Sequence, residues 1–122
     1  MTTQKILIVE DTEDNRRIMR DILTNAGYAV MEAHDGRSAV EMAAALKPDL
    51  ILMDIQLPVL SGYEAAARIK EDPTLHYIPI VAVTSYALSG DEEKARAAGC
   101  SGYLAKPFSP RQMLAIVREY LA

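Results

Sequence analysis

Five polar side chains stand out because each follows an apolar run. Glu10 and Asp11 follow Lys5-Ile-Leu-Ile-Val9, and Asp54 closes Leu50-Ile-Leu-Met53. Thr84 follows Pro79-Ile-Val-Ala-Val83, and Lys106 comes just after Ser101-Gly-Tyr-Leu104. Carboxylates gathered in one place repel one another unless something neutralises them. At neutral pH a hard divalent cation is the natural choice. Mg2+ takes one or two carboxylates, carbonyls and waters, and often shares a phosphate. With the Lys106 ammonium and the Thr84 hydroxyl, such a cation would hold an anionic tetrahedral group. Asp54 would then be the nucleophile, attacking phosphorus to form an aspartyl phosphate.

Each residue also has an ordinary explanation. Acids such as Glu10 and Asp11 are favoured at a helix N-terminus by the backbone dipole. Thr84-Ser85 has the composition of a cap or turn, and Lys106-Pro107 that of a loop. These explanations do not account for all five residues falling at the same end of four strands.

The intervening sequence builds that arrangement. Leu50 to Met53 is too short for a helix and has no polar alternation, so it predicts a strand buried on both faces. Lys5–Val9, Tyr28–Glu32, Pro79–Val83 and Ser101–Leu104 complete the strand pattern. Helical stripes lie between them: Ile18, Met19, Ile22, Leu23 and Ala26, then Ala39, Val40, Ala43 and Leu46, then Ala65, Ala66 and Ile69. The last stripe is Met113, Leu114, Val117 and Leu121. Asp35 is placed to cap the second helix, Ser61 and Ser89 each precede an acid at capping-box spacing, and Ser109-Pro110 opens the last helix. Gly27 closes the first helix, Pro48 stops the second and Asp72-Pro73 the third. The fourth helix, ending near Gly99, is rich in Ala and charge and should be lightly anchored.

Strand then helix, five times, predicts an α/β fold: a single-domain, doubly wound (βα)5 flavodoxin-like sheet of order 2-1-3-4-5 with helices on both faces. Chemistry in such a sheet collects beyond the carboxyl ends of strands 1 and 3. Residues 1–122 read as one domain. The fifth helix is expected to close the chain, with no DNA-binding or catalytic module expected after Leu121.

The 122 residues carry 13 basic and 17 acidic side chains, a formal net charge of −4. That balance disfavours direct nucleic-acid binding and an anionic membrane as partners. One cysteine, Cys100, permits no intrachain disulfide and suits a reducing compartment. No segment is long and apolar enough for membrane insertion, and the expected location is cytoplasmic. His34 and His76 lack metal-ligand spacing and read as surface residues. Cys100 reads as a small buried residue, and Tyr28, Tyr63, Tyr77 and Tyr120 as packing residues.

Four motifs together resemble one family. They are Val9-Glu10-Asp11, Leu52-Met53-Asp54-Ile55-Gln56-Leu57-Pro58, Val83-Thr84-Ser85 and Tyr103-Leu104-Ala105-Lys106-Pro107-Phe108. The chain resembles the receiver domain of two-component response regulators from Lys5 to Leu121, most closely stand-alone cell-cycle receivers and those of hybrid histidine kinases. The resemblance implies that Asp54 accepts a phosphoryl group from a sensor histidine kinase or histidine phosphotransfer protein. It implies Mg2+ held by Asp11, Asp54 and the Gln56 carbonyl, with Glu10 acting mainly through water. Lys106 would pair with the phosphoryl group. Thr84 and Tyr103 would be the switch residues, and Lys106-Pro107 a cis peptide. It implies a signalling domain that catalyses only its own phosphoryl transfer and dephosphorylation.

Output is expected through protein contacts on the face formed by the fourth helix, fifth strand and fifth helix, with Tyr86 and Leu88 as candidate contacts. Input is expected near the first helix, where Arg16, Arg17 and Arg20 lie, and the loop after Asp54. The protein is expected to be a monomer or weak dimer. An alternative is the receiver half of a hybrid kinase, or a phosphate relay or sink. A haloacid-dehalogenase-like phosphatase would want an acid where Gln56 stands. A flavin binder would want hydroxyls and glycine where Glu10-Asp11-Thr12-Glu13 stands. A degenerate receiver would lack acceptor-site residues that are all present here.

Overall fold

A computed structural model describes residues 3–84 and 91–121. Ser85, Tyr86, Leu88 and the expected box beginning at Ser89 lie outside them. The elements are β1 (Lys5–Val9), α1 (Glu13–Asn25), β2 (Ala29–Ala33), α2 (Gly36–Leu46) and β3 (Leu50–Asp54), followed by α3 (Gly62–Glu71), β4 (Ile80–Thr84), α4 (Asp91–Ala97), β5 (Gly102–Ala105) and α5 (Pro110–Tyr120). The five strands are parallel, in the order β2-β1-β3-β4-β5. This is the doubly wound architecture that the alternating pattern predicts.

The apolar runs work because both sheet faces are covered. β3 and β4 are buried at every position. Alternate residues go to opposite layers. Leu7, Val9, Ile51, Met53, Ile80 and Ala82 join the layer containing residues of α2, α3 and α4. Ile6, Ile8, Leu50, Leu52, Val81, Val83 and Leu104 join the layer containing residues of α1 and α5. Carried one step beyond the apolar positions, the same alternation assigns Glu10, Asp54 and Lys106 to the α1/α5 side. It assigns Thr84 to the other side, with Tyr103.

Helix starts follow the local chemistry. Asp35 accepts from the Ser38 N–H at 2.7 Å, and Ser61 from the Glu64 N–H at 3.2 Å. At α5 the cap is a full reciprocal box: Ser109 Oγ accepts from Gln112 N–H, and the Gln112 side chain accepts from Ser109 N–H. α1 gives way to Gly27, whose φ of 98° is in the left-handed region that suits glycine.

Several details differ from expectation. β2, β4 and β5 each lie one residue further along, because parallel pairing with the neighbouring strand sets their ends. Ile18 is 56% exposed and Leu46 40% exposed, since the inward arc of each helix is narrower than its apolar stripe. Tyr77 stands in solvent instead of packing, whereas Tyr28, Tyr63 and Tyr120 are part-buried against the core. Cys100 is buried, and burial pushes its thiol pKa up to about 11. His34 and His76 are exposed. No helix among the described residues is long and apolar enough to cross a membrane.

Candidate functional site

Strand register brings the polar residues level. Met53 lies beside Val9, Asp54 beside Val83, and Thr84 beside Ala105. Glu10 and Asp54 are therefore neighbours across the β1–β3 pair, and Lys106 leaves β5 at the same edge. The supporting backbone is tight. Gly62, at the start of α3, sits so close to Asp54 that a Cβ would overlap the Asp54 carbonyl oxygen and crowd Ile55 Cα. A residue with a side chain would force α3 away from β3.

Lys106 is the hub. Its Nζ lies 3.0 Å from Glu10 Oε1 and 3.1 Å from Asp54 Oδ2. Asp54 Oδ1 accepts from the Gln56 N–H at 2.9 Å, so both carboxylate oxygens are held. The Gln56 side-chain amide donates to Thr84 Oγ1 at 3.3 Å, linking the β3 loop to the end of β4. Glu10, Asp54 and Thr84 are buried, whereas Asp11 and Gln56 are exposed. Tyr103 is part-buried against the layer shared with α4. The Lys106–Pro107 peptide bond is cis.

The electrostatics follow from one ammonium shared by two buried carboxylates. Burial, with the neighbouring Asp54, pushes Glu10 above the usual carboxylate range, against the pull of Lys106 and Asn15. Burial alone would lower Lys106, but Glu10 and Asp54 outweigh it and hold the ammonium above the ordinary lysine value. Ionised Glu10 is thus under-neutralised, and added positive charge would relieve it. Glu10, Asp11 and Asp54 each present a carboxylate oxygen, all within 4.8 Å of one another. This all-oxygen cluster, combining two buried acids with one exposed acid, fits a hard divalent cation approaching from solvent.

The sequence left four contacts unseen. Asn15 donates to Glu10 Oε1 at 2.7 Å, and Arg16 to the Glu10 carbonyl at 2.7 Å. Arg16 also meets Glu32 at 3.5 Å, and Arg20 meets Glu32 at 2.8 Å, so both arginines are paired with the end of β2. The available signal was Asn15 itself, a polar residue four before Met19 on the inward stripe of α1. A cavity of about 480 Å³ opens beside it, lined by Asn15, Ile18, Met19, Lys106, Pro107 and Phe108.

Comparison with known proteins agrees with this geometry. Residues 6–118 match the response regulator receiver domain. The chain belongs to that family. Over 119 residues this receiver is 42% identical to the polar-differentiation response regulator DivK of Brucella ovis, an alignment spanning 98% of this chain and 97% of that protein. The receiver domain of the sensor histidine kinase PA1611 from Pseudomonas aeruginosa, solved with magnesium coordinated in its active-site cleft, is 39% identical. It superposes with a TM-score of 0.92, with 98% of each chain covered. The chemotaxis protein CheY4 of Vibrio cholerae is 29% identical with a TM-score of 0.92, covering 98% of this chain and 99% of that one. This chain is thus a phosphorylation-switched receiver of a two-component system. Its family acts with histidine kinases or phosphotransfer proteins and typically binds Mg2+.

Proposed function

We propose that Asp54 is the phosphoacceptor. A carboxylate oxygen attacks the phosphorus of a phosphohistidine on a sensor kinase or phosphotransfer protein. The P–N bond breaks, the P–O bond forms, and the imidazole leaves. The observation that carries this reading is Lys106 Nζ lying between Asp54 Oδ2 and Glu10 Oε1. An ammonium already paired with the nucleophile can transfer its hydrogen bond to an incoming phosphoryl oxygen with little movement. Asp11, Asp54 and the Gln56 carbonyl would hold Mg2+, with Glu10 acting mainly through water. The ion would supply the positive charge that a phosphoryl group needs at this acidic edge.

Phosphorylation adds close to two negative charges and three acceptor oxygens. In this reading Thr84, which accepts from Gln56 before transfer, turns its hydroxyl to donate to them. Tyr103 then moves inward, and the face of α4, β5 and α5 presents the changed surface to a downstream protein. In this reading residues 1–122 are one receiver domain, cytoplasmic, monomeric or weakly dimeric, and catalytic only toward its own phosphoryl group. The likeness to a receiver within a sensor histidine kinase favours one second reading, that this chain receives phosphate as part of a hybrid kinase or relay.

The test is intact mass after incubation with acetyl phosphate and Mg2+. A gain of about 80 Da, one phosphoryl group on a side chain, is expected for the native protein. It should be absent from Asp54→Asn and from an EDTA control. If neither acetyl phosphate nor a phosphorylated histidine kinase adds that mass, the phosphoacceptor reading fails.

A further inference from the structure

We propose that Asn15 is a positioning residue for the metal site, acting through Glu10. This rests on the reading that Glu10, Asp11 and Asp54 hold Mg2+. Glu10 is buried, and Oε1 has two donors: Asn15 Nδ2 at 2.7 Å and Lys106 Nζ at 3.0 Å. Oε2 is met by the Asp11 N–H at 3.2 Å. The two Oε1 donors differ in kind. Lys106 is shared with Asp54 and must serve the phosphoryl group as it arrives. Asn15 is the donor to Oε1 that can stay.

A neutral amide suits that task. It fixes the carboxylate without adding charge that would repel the cation, and it leaves Glu10 ionised. A cationic side chain in its place would compete with the metal, and an apolar one would leave Oε1 short of a donor once Lys106 turns away. Arg16, the next residue on α1, holds the other end of Glu10 through its main-chain carbonyl at 2.7 Å. Adjacent residues of one helix therefore fix both the backbone and the carboxylate of Glu10. Partners that orient acidic and histidine metal residues usually change affinity by about 10–100-fold when removed.

The experiment is a Mg2+ titration of the native protein, Asn15→Leu and Arg16→Met, followed by amide NMR shifts. Arg17→Ala, an exposed neighbour on the same helix, is the control, and metal-free thermal midpoints are recorded in parallel. The expected result is an Mg2+ dissociation constant raised about tenfold in Asn15→Leu. Arg16→Met should show a smaller rise and Arg17→Ala none. The acetyl phosphate concentration for half-maximal phosphorylation should stay unchanged at saturating Mg2+. An Asn15→Leu variant that folds and binds Mg2+ like the native protein overturns the proposal while leaving the phosphoacceptor reading intact. Should Asn15→Leu fail to fold, Asn15→Ser decides in its place, with the same two outcomes. A native protein that binds no Mg2+ overturns both.

Discussion

Helices α3 and α4 flank the same face of the sheet, yet they are anchored very differently. α3 buries Gly62, Ala65, Ala66 and Ile69, begins on the Ser61 cap, and abuts the end of β3 at Gly62. Near its end Lys70 donates to the carbonyls of His76 and Ile78, pinning the chain that leads into β4. Burial lowers the Lys70 pKa, the cost of placing an ammonium there. From Glu92 to Ala97, α4 buries Ala95 alone. The helix behind β3 is a fixed wall, whereas among the described side chains of α4 a single methyl group is buried. A phosphoryl group would therefore find its acceptor rigid and its responding element cheap to move.

The largest expected effect comes from attacking the wall. Ile69→Ala removes a fully buried side chain and should cost about 3 kcal/mol in urea unfolding. Gly62→Ala should cost about 2 kcal/mol, because backbone must shift to admit the methyl group. It should also slow phosphorylation, since the displaced atoms belong to Asp54 and Ile55. Ala95→Gly should cost about 1 kcal/mol and speed amide exchange within α4. If exchange in α3 were as fast as in α4 in the unaltered protein, the contrast would collapse. The smallest effect is a gain. Val59, in the loop between β3 and α3, is 78% exposed with φ at 67°, unusual for a β-branched residue. Val59→Gly should stabilise by roughly 0.5 kcal/mol, strain relief less glycine's extra chain entropy. Equal or lower stability would show that this backbone is not strained.

Much of this is legible in the sequence alone. Continuous apolar runs at Leu50–Met53 and Ile80–Val83 marked strands covered on both faces, and the polar residue after each run marked its exit to the site. Capping chemistry located three helix starts within a residue, because Asp35, Ser61 and Ser109 bond to backbone only three positions ahead. Side-chain exposure was less legible. Ile18 and Leu46 lie on apolar stripes, but how wide an arc a helix buries depends on what it packs against. Tyr77 looked like core by composition and is exposed because the turn after α3 points it outward.

By itself the sequence determined the order of the elements, the end of the sheet at which chemistry would collect, and the types of side chain that would meet there. These follow from periodicity and short-range hydrogen bonds, which act within a few residues. Tertiary structure decided which of those side chains touch. Lys106 meets Glu10 across 96 positions and Asp54 across 52. Asn15 faces Glu10 because α1 lies at one angle to β1 and not another. Such contacts depend on how layers settle against each other, and packing is a property of the whole core.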